Sequence, residues 1–305
     1  MATFMLDGFR SKVPVQLTHG ITESQLLDFR AFQTWRDTLR ANLALQYSNP
    51  NHAFHDDPFS LQKIEIQSVD WFPTKKGSIL GFVKLRAYIR SKKLVNGKPK
   101  ELPGIAFLRG GSVAMLMILR PQDSRDERWV VMTEQPRVPA GSLSFVEIPA
   151  GMLDKSNNFS GKAAEEILEE TGFKLPKSEL IDLTELALKQ TQSEDGEVLQ
   201  NAMYPSPGGS DEFIPIFLWE KELDRQEIMD LRGKLTGKRA QGEMITLRVC
   251  DYEELWKVCP RDAKTLAAWA LYEGLNRAGI IQEELRKRKQ IPGVELQLDD
   301  GDSSE

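Results

Sequence analysis

Residues 151–173 read GMLDKSNNFSGKAAEEILEETGF, a loop that leads into a short helix and stops at a glycine. Glu165, Glu166, Glu169 and Glu170 crowd that helix. At helical spacing Glu166, Glu169 and Glu170 project from one face. Like charges so placed destabilise a helix by about 0.2–0.5 kcal/mol per pair, and no Lys or Arg alternates with them after Lys162. A cation on that face would offset the repulsion. Hard divalent ions take carboxylate oxygens, and Mg²⁺ in particular is shared between carboxylates and substrate phosphates. Taken bare, the pattern also reads as a solvated acidic face. Its surroundings favour the first reading. Pro149-Ala150-Gly151 opens a tight loop off a strand and Gly172 takes the helix C′ place, so the acids lie on a strand–loop–helix unit.

Upstream of this unit, residues 113–119 form a nearly continuous apolar run and 129–133 another, as central strands do. Helical patterns cover 161–171, 221–234 and 263–289, with strand patterns at 213–219 and 244–250 between them. Interleaved strands and helices predict an α/β sandwich. The first hundred residues differ. Thr22 and Gln25 form a capping-box pattern ahead of Leu26, Leu27, Phe29, Phe32, Trp35, Leu39 and Leu43, one amphipathic helix that Asn49-Pro50-Asn51 ends. Ile64, Ile66 and Val69 then alternate with polar residues, Phe82, Val83, Leu85 and Tyr88 make a second strand, and Asn96-Gly97 supplies a hairpin turn. The predicted division is a helix-and-antiparallel-sheet domain at 1–103, an α/β domain at 104–289, and a disordered acidic tail at 290–305 ending in Asp299, Asp300, Asp302 and Glu305.

The chain has 305 residues, 40% of them hydrophobic, enough for a sizeable core. Its formal net charge of −5 offers no basic field to gather nucleic acid. No apolar run approaches the roughly 20 residues of a membrane-spanning helix, and the N-terminus lacks the pattern of a secretory leader. A cytoplasmic location with no membrane partner is the expectation. Cys250 and Cys259 are too few for a disulfide scaffold and lack a metal-binding spacing, so both are expected reduced. His52 and His55 sit among Asp56, Asp57 and Pro58 in a loop without the further ligands that zinc needs. The basic run Arg286, Lys287, Arg288 and Lys289 ends the last helix, where the helix dipole favours cations.

The segment 151–173 resembles the signature of the Nudix hydrolase family, with Gly151, Glu166, Ile167, Glu169, Glu170, Gly172 and Phe173 in register. Asn157 stands where the family has a loop glutamate, and Glu165 where it has an arginine that orients the acids. Lys162, one turn before Glu165 and Glu166, is the residue spaced to take over part of that charge balance. Three further blocks, at 133–139 (TEQPRVP), 206–212 (SPGGSDE) and 242–249 (GEMITLRV), are similar to the ADP-sugar diphosphatase branch. By themselves the second is a turn and the third a surface loop with an acid.

The resemblance implies a Nudix α/β/α sandwich and hydrolysis of a nucleoside diphosphate sugar, ADP-ribose or ADP-glucose, to AMP and a sugar phosphate. It implies Mg²⁺, with Mn²⁺ as the alternate ion, on the Ala150 carbonyl, Glu166, Glu169 and Glu170. Catalysis falls to Glu243 as the base, with Glu169, and substrate binding to Arg137, Gly208 and Glu212. A guanidinium at Arg137 suits bidentate contact with diphosphate oxygens. Trp71 could stack on adenine, although packing accounts for it as well. A homodimer that exchanges N-terminal sheets is also implied. Two rival readings stand: a Nudix-fold protein that binds a nucleotide or partner without turnover, and a Nudix hydrolase of another substrate such as capped RNA, a dinucleoside polyphosphate or coenzyme A. The acidic balance and the SPGG block speak against capped RNA.

Overall fold

The computed structural model describes residues 2–74, 77–153, 162–190, 196–237 and 244–289, with the backbone alone at 162–166 and 288–289. The first sheet is built from β1 (Thr3–Leu6), β2 (Val13–Gln16), β3 (Phe59–Thr74), β4 (Gly77–Val95), β5 (Lys98–Leu102) and β6 (Ile105–Leu108), the last two both pairing with β4. Alternation decides which side is buried. Leu61, Ile64 and Ile66 of β3 and Val83, Leu85 and Ala87 of β4 face a core closed by helices α1 (Glu23–Leu27) and α2 (Arg30–Ser48), which contribute Leu26 and Phe32.

The helix expected from residue 22 is therefore two. Thr22 does form a capping box with Gln25, through bonds of 3.3 and 2.9 Å. The helix then stops, and Phe29 turns extended at φ −75° and ψ 114° before α2 begins. The Gln33 side-chain amide donates to the Leu27 carbonyl at 2.6 Å, satisfying an acceptor that the break frees. Leu26 and Phe32, on either side of the break, are both fully buried. Nor is the sheet wholly antiparallel. The helices return the chain as a crossover, so β2 lies parallel to β3 with Val15 opposite Ile64. Asn96 and Gly97, at φ 53° and 76°, form the expected tight turn into β5.

The second sheet has the order β11-β12-β7-β8-β14-β13, where β7 is Ser112–Pro121, β8 Trp129–Arg137, β11 Ile181–Asp182, β12 Ile216–Leu223, β13 Leu235–Thr236 and β14 Ile245–Asp251. The unbroken apolar run of β7 follows from burial on both faces. Val113, Met115, Met117 and Leu119 meet Ile167 of α3 (Lys162–Thr171) and Ile228 of α5 (Arg225–Asp230). Ala114, Leu116 and Ile118 meet a layer formed by α4 (Leu183–Leu188), α6 (Leu255–Val258), α7 (Ala263–Arg277) and α8 (Ile280–Lys289). The result is an α/β/α sandwich. Each fully buried aliphatic side chain contributes about 1.5–3 kcal/mol to holding it.

Two helices differ from their sequence patterns. At 221–234, β12 continues in parallel register with β7 as far as Leu223 opposite Pro121, and Asp224 then caps a helix that reaches only Asp230. At 263–289, Gly279 at φ 75° separates α7 from α8, as a C′ glycine does. Among the described residues no helix is long and apolar enough to cross a membrane. The expected tail at 290–305 lies outside the described residues.

The feature that makes a site is a split in the second sheet. β7 and β8 pair at Ile118–Val130 and Leu119–Trp129. Away from that point β9 (Ser142–Glu147) takes the edge of β8 and β10 (Ala150–Met152) takes the edge of β7.

Candidate active site

A cleft of about 680 Å³ opens at this split. One wall comes from the ends of β8 and β9 and the start of α7. Arg137, the last residue of β8, places Nε 2.7 Å and Nη2 2.6 Å from the same oxygen, Oε1, of Glu147. The other oxygen of Glu147 accepts from Lys264 Nζ, which also meets Asp262 at 2.9 Å. Asp262 caps α7, accepting from Thr265 N at 3.1 Å and Thr265 Oγ1 at 2.6 Å. Thr265 Oγ1 in turn accepts from Ile148 N at 3.1 Å, which bolts the helix start to the strand end.

The opposite wall comes from the SPGG block and the start of β7. Glu212 accepts from Arg109 Nη1 at 3.1 Å and from the Ser112 hydroxyl at 3.2 Å. Its neighbour Asp211 accepts from the backbone N–H of Arg109 at 2.8 Å and of Gly110 at 3.2 Å. Burial pushes the Asp211 carboxyl above the usual carboxylate range, and those N–H bonds oppose the shift. Gly209 accepts from Phe107 N at 2.8 Å, so the block is fastened to the first sheet through β6. Gly208 lies exposed in the turn, outside the cleft lining, whereas Pro205 and Glu212 line it.

Between these walls lies the acidic helix. Glu170 is buried at 6% exposure and lines the cleft. Its Oε2 accepts from Ala150 N at 3.4 Å. Gly172, at φ 81°, closes α3 as its sequence position implies, with its N–H on the Leu168 carbonyl at 2.7 Å. Thr236 Oγ1 donates to the Glu170 carbonyl at 2.6 Å and Gly237 N to the Glu169 carbonyl at 3.3 Å, fixing the helix end against β13.

The register of β10 explains why Ala150 matters. Pro149 accepts from Met115 N at 2.9 Å and Gly111 from Leu153 N at 3.2 Å, so the Ala150–Ala114 pair is one of the unbonded pairs of an antiparallel ladder. Ala150 therefore turns its own N–H and C=O away from β7, toward Glu170. A carboxylate and a peptide carbonyl on one side of a cleft are the hard oxygen donors that suit a divalent cation. Among the described residues no group of three or more His, Cys, Asp or Glu stands ready to hold a metal. The side chains of Lys162, Glu165 and Glu166, and the whole of Asn157 and Glu243, lie outside the described residues.

The structure thus brings Arg137, Ala150, Glu170 and Glu212 to one cleft. Trp71 is not in its lining within one chain. Two aromatics line it, Phe145 of β9 and Phe82, the latter packed at 4.9 Å against both Phe72 and Phe107. Sequence reasoning missed Glu147 and Lys264. A lone acid in the apolar run FVEIPAG was a signal, because a buried carboxylate needs a cation; nothing local marked Lys264.

No family model matches the chain. It is 36% identical over 279 residues to Nudix hydrolase 14, chloroplastic, of Arabidopsis thaliana, across 90% of this chain and 81% of that protein. It is 30% identical over 152 residues to the ADP-ribose pyrophosphatase of Bacillus subtilis strain 168, across 47% of this chain and 67% of that protein. A crystal structure of an ADP compounds hydrolase superposes with a TM-score of 0.41 at 15% identity, over 72% of this chain and 98% of that one.

Proposed function

The chain belongs to the Nudix hydrolase family, and on that premise we propose that it hydrolyses the diphosphate of ADP-sugars, ADP-ribose or ADP-glucose, to AMP and a sugar phosphate. The observation that carries this reading is the shared cleft, with the Arg137 guanidinium on one wall and the Glu170 carboxylate beside Ala150 on another. The pyrophosphatase name of the Bacillus subtilis relative supports the substrate class.

In this reading Arg137 holds non-bridging oxygens of the diphosphate through the part of its guanidinium not used by Glu147. Glu212, kept in place by Arg109 and Ser112, accepts from a substrate hydroxyl. Water adds at one phosphorus, the phosphoanhydride P–O bond breaks, and the water proton passes to Glu243, with Glu169 assisting. The Ala150 carbonyl, Glu166, Glu169 and Glu170 would hold Mg²⁺ or Mn²⁺, which supplies charge neutralisation and a more acidic water. Phe82 offers an aromatic face in the cleft, and Trp71 reaches a site only through a second copy of the chain in the homodimer that belongs to this reading.

The test is AMP release from ADP-ribose and ADP-glucose by the purified protein with Mg²⁺, with Mn²⁺ and in excess EDTA, alongside its mass by light scattering. The expected result is turnover in either metal, none in EDTA, and the mass of a dimer. Nucleotide binding without turnover in any metal would replace this reading with that of a binding protein.

A further inference from the structure

We propose that Glu147 and Lys264 are positioning residues that orient the Arg137 guanidinium and balance charge beside it for a diphosphate, a role that rests on the cleft being the diphosphate site. The Glu147 side chain is 4% exposed, Lys264 11% and Asp262 7%, whereas Arg137 is 39% exposed. Of these four charged groups, Arg137 is the one that opens substantially toward solvent. A carboxylate as buried as Glu147 must be paired, and here its oxygens are divided. Oε1 takes both Nε and Nη2 of Arg137, and Oε2 takes Lys264.

Two consequences follow from this division. First, the Nε hydrogen bond and the close Nη2 ion-pair contact to one oxygen fix the guanidinium plane before substrate arrives, so a bound diphosphate need not order a flexible side chain. Nη1 makes neither of these contacts and remains for the ligand. Second, Glu147 without Lys264 would set an excess negative charge next to an anionic ligand. Lys264 cancels it, and Asp262 holds Lys264 in place while capping α7. Lys264 acts through Glu147 rather than by touching the phosphates.

The roles have opposite signs, which makes them separable. Glu147→Gln loosens Arg137. Lys264→Met leaves a bare carboxylate beside the ligand. Removing both charges together relieves that repulsion, so the double variant should bind better than Lys264→Met alone. The probe is α,β-methylene-ADP, a diphosphate that cannot be hydrolysed at the bridged position, titrated calorimetrically into the full chain in EDTA, with thermal unfolding of every variant. Expected is about 10-fold weaker binding for Glu147→Gln and about 30-fold weaker for Lys264→Met, with the double variant within about 3-fold of Glu147→Gln. In turnover, KM for ADP-ribose should rise with kcat nearly kept, a split that simple loss of stability would not give.

If folded Glu147→Gln and Lys264→Met bind within about twofold of the parent, or if the double variant shows the full product of the single losses, the proposal fails. It fails too if the parent does not bind the probe. Should Glu147→Gln not fold, the double variant, in which Asp262 loses Lys264 but keeps its two hydrogen bonds from Thr265, compared with Lys264→Met still decides. Parent binding of the probe without ADP-ribose turnover would sink the hydrolase reading and leave this one standing.

Discussion

Glu170→Gln is expected to lower kcat for ADP-ribose hydrolysis by more than about 10²-fold, since outer partners of metal ligands alone are worth 10- to 100-fold. The fold should survive. Glutamine has the shape of glutamate, and its amide oxygen can still accept from Ala150 N, the bond that Glu170 makes at 3.4 Å. The carbonyls of Glu169 and Glu170, which tie α3 to Gly237 and Thr236, are untouched by the substitution. What is lost is the negative charge of a group buried at 6% exposure against the Ala150 strand. Steady-state kinetics with Mg²⁺, together with thermal unfolding, separates the two effects. A variant that melts like the parent and keeps more than about a tenth of its kcat would remove Glu170 from the metal set and with it the reading of α3.

The parts of the site visible in the sequence are those set within a few residues. The helix α3, its closing Gly172 and the turn at Asn96-Gly97 depend on local geometry, and the structure has each of them. The apolar run of β7 was equally plain because both of its faces are covered. What stayed hidden is set by distant partners. Glu147 and Lys264 stand 117 positions apart and Arg109 and Glu212 face each other across more than half of the second sheet's sequence, so no window of residues contains either pair. The break between α1 and α2 carries no Gly or Pro; it goes with burial of both Leu26 and Phe32 against one sheet and with a side-chain bond from Gln33. Aromatic residues at the cleft were foreseeable, but which ones were not. Trp71 and Phe82 lie on neighbouring strands, and register decides that Phe82 meets the cleft.

The first sheet should matter to the cleft, and Gly104→Ala tests how. Gly104 joins β5 to β6 and accepts from Ala87 N at 2.8 Å. A Cβ at this position would fall 2.0 Å from the Ala87 carbonyl oxygen and 3.0 Å from its carbon. Those atoms belong to a central backbone rather than to a side chain that can swing aside, so β6 must move. Overpacking typically costs about 1–3 kcal/mol, and backbone against backbone belongs at or above the upper end. At 2–4 °C per kcal/mol, the melting temperature should fall by roughly 6–12 °C. The displacement has a route to the site. β6 pairs with β4 from Ile105 to Leu108, Phe107 packs on Phe82 at 4.9 Å, and Phe107 N donates to Gly209 in the SPGG block at 2.8 Å. Both Phe82 and the segment that carries Glu212 are therefore displaced together, and KM for ADP-ribose should rise in the protein that remains folded. Gly274→Ala is the matched control. It lies in α7 with nothing within 4 Å of the added carbon, so the helix should gain about 0.5–1 kcal/mol and the kinetics should not change. A Gly104→Ala protein that melts with the parent would contradict the close approach of β6 to β4; one that melts early yet keeps its KM would confine the first sheet to holding the fold.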